Sequence, residues 1–100
     1  MKKILILGAG MVAGPLIKYF LEKGYTTTVA SNDTDRAFQL TGKYPKGKVV
    51  EWDAENMNKL DSLIPEHNIV VSLLPFAFHT AVAEKCIEHH THMVTTSYVR

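Results

Sequence analysis

The sequence predicts a three-layer α/β protein: a doubly wound, five-stranded parallel sheet in the order 3-2-1-4-5, with helices on both faces. Three observations predict it. Short apolar runs alternate with segments whose apolar residues recur at helical spacing, the pattern of βαβ units joined by right-handed crossovers. The first run, "ILIL", is apolar at every position, as befits a strand covered on both faces. Gly8, Gly10 and Gly14 then stand where that run gives way to a helix, a place where glycine is poor filler unless the backbone needs it.

Each element has its own warrant. Residues 3–7 form the first strand, and Val12, Leu16, Ile17, Phe20 and Leu21 mark the helix after it. Pro15 lies near the start of that helix, where a missing N–H is best tolerated, and Gly24 stops it. Residues 26–30, rich in β-branched side chains, form the second strand. "SNDTDRAFQLTG" reads as a loop and a short helix closed by Gly42; "KYPKGK" is turn chemistry, and "KVVEW" is a third strand ending at Asp53. Met57, Leu60, Leu63 and Ile64 give the next helix its apolar face, with Asp53 placed to cap it. "NIVVSLLP" is a fourth strand stopped by Pro75. "HTAVAEKCIEHH" is a helix with Val82, Ala83, Cys86 and Ile87 on one face, and "HMVTTSY" is a fifth strand.

Composition excludes several classes. With 46% hydrophobic and 21% charged residues the chain reads as an ordinary globular domain. A net charge of +1 argues against nucleic acid or an anionic membrane surface as partner. No apolar run approaches the ~20 residues that span a bilayer, and the N-terminal run is too short for a signal peptide. The single Cys86 forms no internal disulfide, so the cytoplasm is the expected compartment.

The glycines acquire a reason at the junction of strand one and helix one. The first allows a tight turn, the second lets backbone approach a pyrophosphate, and a small third residue lets helix and strand pack closely. Here the third position is Ala13, with Gly14 just after it, so the motif is G-x-G-x-x-A. This is the phosphate-binding loop of a Rossmann-type dinucleotide fold, with the first helical N–H groups and the helix dipole facing the phosphates.

The end of strand two carries the second test. Roughly 20 residues beyond the motif lie Ser31, Asn32 and Asp33. Ser31 and Asn32 are small, neutral donors that suit a 2′-phosphate, with Arg36 one turn later, and they favour NADP. Asp33 is placed to accept from the ribose of NAD, which stays open. Asp53, at the end of strand three, lies beside the adenine in such a fold. The segment from Ser72 through Leu73, Leu74 and Pro75 leaves strand four at the carboxyl edge, where ligands bind in open α/β sheets.

Other reactive residues are read more plainly. His89 and His92 have metal-ligand spacing but no acidic or cysteine partner nearby in sequence, so no metal is expected. His79 follows the Pro75 loop, either approaching the cofactor's far end or simply opening a helix. Cys86 is core filler.

These residues resemble the saccharopine dehydrogenases, in particular the saccharopine reductase (L-glutamate-forming) branch. "GAGMVAGP" looks like the family's opening loop, and "TVAS" with its short helix looks like the second strand. "VSLLPFAFHTAVAEKCIEHHTHMVTTSYV" is similar to the family's strand–Leu-Pro–Phe-His–helix–Thr-Ser-Tyr block. The resemblance implies an NADP- or NAD-dependent oxidoreductase acting on a secondary amine or imine C–N bond in lysine metabolism. It implies that Gly8, Ala9, Gly10, Met11 and Val12 hold the pyrophosphate, and that Ser31, Asn32 and Asp33 hold the adenosine ribose. Asp53 and Ala54 would then lie beside the adenine, Leu73, Leu74 and Pro75 near the nicotinamide-side ribose, and Ser97 and Tyr98 against an amino-acid substrate.

The residues 1–100 are accordingly expected to be the N-terminal portion of a longer two-domain enzyme, a homodimer being one assembly open to the full-length protein. No catalytic acid or base is identified. A carboxynorspermidine-type dehydrogenase shares this architecture, and a non-catalytic NAD(H)-sensing module is the alternative from another class.

Overall fold

The computed structural model describes residues 2–9, 13–42 and 44–95. Its centre is β1 (Lys3–Leu7), in which Ile4, Leu5, Ile6 and Leu7 are all fully buried. Alternation along the strand sends Ile4 and Ile6 into one apolar cluster and Leu5 and Leu7 into another. Both faces must therefore be covered by helices.

β2 (Thr26–Ser31) and β4 (Ile69–Ser72) flank β1, both parallel to it, with Leu7 in register with Ala30 on one side and Ser72 on the other. β3 (Gly47–Glu51) pairs with β2, and β5 (His92–Thr95) pairs with β4. The order is β3-β2-β1-β4-β5, all parallel, as the sequence predicts. The connections that produce it are α1 (Ala13–Glu22) and α2 (Thr34–Thr41), then α3 (Leu60–Leu63) and α4 (His79–Glu88). Ala13, Ile17 and Leu21 of α1 and Ala37 of α2 pack with Ile4, Ile6, Val29 and Val71. Leu60 and Ile64 around α3, with Val82 and Cys86 of α4, pack with Leu5, Leu7, Val70 and Trp52. Each such buried aliphatic side chain stabilises the fold by about 1.5–3 kcal/mol.

The structure corrects the sequence reading in three places. β3 stops at Glu51, two residues short of Asp53; the Trp52 backbone N–H makes the last bond to β2, at the Ser31 carbonyl, while its indole donates to the Asn56 carbonyl, 2.9 Å away. The single helix expected after Asp53 is a short α-helical turn between two 3₁₀ turns, Met57–Lys59 and Ile64–Glu66, the second holding Pro65. Its cap position is Asn56, and Asp53 instead closes a local turn by accepting from the N–H of Glu55 at 2.8 Å. On α4, Val82 and Cys86 are buried but Ile87 is 73% exposed, so the apolar face is narrower than its spacing suggests. The expected fifth strand runs past Thr95 into residues outside those described. Among the described residues, no helix is long and apolar enough to cross a membrane.

Candidate functional site

The carboxyl ends of β1, β2, β3 and β4 open into one cleft of about 360 Å³. Gly8 floors it from β1, and Ala30, Ser31 and Asn32 enter from β2. Trp52, Asp53, Ala54 and Glu55 line it beyond β3, while Leu74, Pro75 and Phe78 close the side beyond β4. In a parallel sheet whose chain reverses direction after β1, this edge is the switch-point crevice.

Gly8 shows why the first motif position is glycine. It adopts φ +102°, a left-handed conformation that L side chains rarely take, while its N–H donates to the Ala30 carbonyl at 2.8 Å. A Cβ there would stand 3.6 Å from the Leu73 carbonyl group and the Leu74 side chain, filling the narrow gap between the ends of β1 and β4. The third motif position, Ala13, is fully buried against the sheet, as close helix–strand packing requires. A glycine at the floor of the cleft, with neutral donors beside it, suits a dinucleotide. Ala9 follows Gly8, while Gly10, Met11 and Val12 lie outside the described residues.

Ser31 is 5% exposed, and its Oγ accepts from the Asp33 N–H at 3.0 Å, leaving its hydroxyl hydrogen available to a ligand. Asn32 is exposed on the cleft wall. The Asp33 Oδ1 accepts from the Arg36 N–H at 3.1 Å, capping α2, and Asp33 is not among the described residues that line the cleft. Asp53 and Ala54 lie side by side in the lining. Leu73 is set back; its N–H donates to the Leu7 carbonyl at 2.9 Å, and its side chain joins the α1-side core. Ser97 and Tyr98 lie outside the described residues.

Sequence reasoning missed Trp52, Glu55 and Phe78. Trp52 reads as the last apolar residue of a strand, and its place at the carboxyl end of β3, where the strand ends, brings it to the cleft. Phe78 belongs to the 3₁₀ turn Phe76–Phe78, whose irregular spacing carries no periodic signal.

The remaining reactive groups sit elsewhere. His89 finds an acidic partner after all: Asp61, 28 residues away, accepts from it at 2.9 Å and from Lys85 at 3.0 Å. The hydrogen bond from His89, followed by that from Lys85, holds the Asp61 carboxyl below its ordinary range. Asp61, Glu88 and His89 bring potential ligand atoms within 4.8 Å of one another, but His92 takes no part in that group. Cys86 is 2% exposed and burial pushes its thiol up, as expected of core filler.

Comparison with known proteins agrees with this geometry. Residues 4–100 match the family model described as the saccharopine dehydrogenase NADP binding domain. The chain is 38% identical over 99 residues to mitochondrial alpha-aminoadipic semialdehyde synthase from Mus musculus, covering 98% of this chain and 11% of that protein. It is 34% identical over 100 residues to saccharopine dehydrogenase [NADP(+), L-glutamate-forming] from Schizosaccharomyces pombe, covering 99% of this chain and 22% of that one. Among solved structures, apo saccharopine dehydrogenase (L-Glu forming) from Saccharomyces cerevisiae superposes with a TM-score of 0.87 at 31% identity, over 100% of this chain and 22% of that one. A short-chain dehydrogenase/reductase from Veillonella parvula, 18% identical with a TM-score of 0.76 over 94% of this chain and 46% of that one, shares the fold. The chain thus spans about a tenth to a fifth of the length of these curated relatives. On the match of nearly its whole length, the chain belongs to the saccharopine dehydrogenase NADP-binding domain family.

Proposed function

We propose that this chain is the cofactor domain of an NADP-dependent oxidoreductase of the saccharopine dehydrogenase type, acting on a secondary amine or imine C–N bond in lysine metabolism. NADPH, when bound, supplies the hydride. The chain's own residues bind and orient it: Gly8, Ala9, Gly10, Met11 and Val12 at the pyrophosphate, and Asp53 with Ala54 beside the adenine. Leu73, Leu74 and Pro75 lie toward the nicotinamide-side ribose.

One observation carries the cofactor assignment. Ser31 and Asn32 face the cleft as neutral donors, while Asp33 caps the N-terminus of α2 through Oδ1 and is not among the described lining residues. On its β2 side the cleft wall offers donors and no lining carboxylate, Asp53 and Glu55 lying beyond β3, and this favours a 2′-phosphate over a bare ribose diol. Arg36, in the first turn of α2, is the cation this proposal assigns to that phosphate.

The larger claims extend the same reading. The chain serves as the N-terminal domain of a longer, cytoplasmic two-domain enzyme, in which Ser97 and Tyr98 meet the carboxylate of an amino-acid substrate. A homodimer of that longer protein belongs to the proposal and is read by sedimentation equilibrium. The functional test is NADPH oxidation by the longer protein with glutamate and 2-aminoadipate semialdehyde. Tyr98→Phe should raise KM for the amino acid and leave NADPH affinity unchanged. Cofactor binding without turnover would return the reading to a dinucleotide-sensing module.

A further inference from the structure

His79 is 8% exposed, the most deeply placed of the histidines, at the first position of α4. Its Nε2 lies 3.0 Å from the carbonyl oxygen of Leu74. A carbonyl oxygen only accepts, so Nε2 carries the hydrogen and donates. The Thr95 hydroxyl on β5 lies 3.3 Å from Nδ1 and 3.2 Å from Nε2, placed to donate to the ring's other nitrogen. The imidazole thus ties a residue of the cleft wall to the neighbouring strand.

The tied residue is a sensitive one. Leu74 precedes Pro75, which disfavours helical backbone at Leu74, and its carbonyl is held by the His79 side chain five residues on. The Leu73 carbonyl group and the Leu74 side chain lie against Gly8, at the gap a Cβ would fill. Ser72, just before it, is in register with Leu7 on one side and Thr95 on the other. Movement of the Leu74 carbonyl would therefore shift the wall directly over the glycine turn.

We propose that His79 is a positioning residue for the dinucleotide: by holding the Leu74 carbonyl it fixes the Leu74–Pro75 wall at the distance from Gly8 that the cofactor needs. The inference rests on the reading of this cleft as the NADP site. It assigns His79 no contact with the reacting atoms.

The test titrates wild type, His79→Gln, His79→Leu and Thr95→Val with NADPH and with NADH by calorimetry, alongside thermal unfolding. Leucine fills the volume and donates nothing, whereas the glutamine amide donates near the Nε2 position. His79→Leu should weaken both dinucleotides by the same factor, about fivefold to tenfold, the equivalent of one net hydrogen bond. His79→Gln should recover most of that loss, a rescue that a purely space-filling role would not show. Folded His79→Leu with wild-type affinity overturns the proposal, as does His79→Gln binding no better than His79→Leu. Should His79→Leu not fold, Thr95→Val decides: weaker binding of both dinucleotides supports the proposal, and unchanged affinity overturns it. Wild-type protein that binds neither dinucleotide overturns the underlying site assignment itself, an outcome the variants' affinities cannot mimic.

Discussion

Replacing Gly8 by alanine separates backbone strain from crowding, because the structure supplies only one of the two. Gly8 holds φ +102°, yet the nearest atoms to an added Cβ would be 3.6 Å away, in ordinary contact. The cost is therefore conformational, about 1–3 kcal/mol for an L residue forced into that region. The turn cannot escape by relaxing, since the Gly8 N–H is bonded to the Ala30 carbonyl at 2.8 Å, worth a further ~1 kcal/mol net. In a domain of this size each kcal/mol moves Tm by about 4–8 °C, so Gly8→Ala should melt roughly 5–20 °C below wild type. Far-UV circular dichroism reads the shift. The control is D-alanine at position 8, introduced by chemical ligation, which prefers positive φ and should melt within a few degrees of wild type. An L-alanine variant with unchanged Tm, or a D-alanine variant as damaged as the L form, would refute the reasoning.

Three further outcomes follow from particular groups. The hydroxyl of Ser72 is fully buried and has no hydrogen-bond partner among the described residues, so Ser72→Ala should gain about 1 kcal/mol in urea unfolding; an equal loss would contradict the unpartnered placement. At Gly47 the problem is crowding: a Cβ would stand 2.8 Å from the Thr41 Cβ and 3.0 Å from its carbonyl oxygen. Gly47→Ala should accordingly lose about 1–3 kcal/mol, and Thr41→Ala should recover little of it, since alanine keeps the Cβ and the backbone oxygen remains. Burial, opposed by the bond to the Leu63 carbonyl, holds the His67 imidazole below its ordinary value of 6.5. The unfolded chain then takes up this proton more readily than the folded one, so the contribution is full above pH 6.5 and is lost as pH falls below it. His67→Gln should flatten the decline in stability between about pH 7 and 5, and an unchanged slope would contradict the assignment.

Much of the fold was legible because it rests on local rules. The apolar run of β1, the β-branched residues of β2, and the glycine and proline stops each act within a few residues, and the strand order follows from the switch after β1. What the sequence concealed depends on partners far away in the chain. The Trp52 indole donates to the Asn56 carbonyl in the cleft-side turn, a partner that strand periodicity cannot express. Ile87 is apolar at helical spacing, yet α4 lies at the sheet's outer side beside edge strand β5, where cover runs out before Ile87 is reached. His89 looked partnerless because Asp61 comes to it only through the packing of α3 on α4. The Asp33 carboxylate was legible as an acidic residue in the right place, but its capping of α2 through Oδ1 was not read from the sequence.

The placement of the cofactor is tested most directly by the fluorescence of Trp52, the single tryptophan, which lines the cleft. NADPH should quench it saturably, with energy transfer to the nicotinamide, and should do so at lower concentration than NADH. Addition of NADPH that registers as binding by calorimetry while leaving Trp52 emission unchanged would place the dinucleotide elsewhere, and equal or tighter response to NADH would contradict the reading of Ser31 and Asn32.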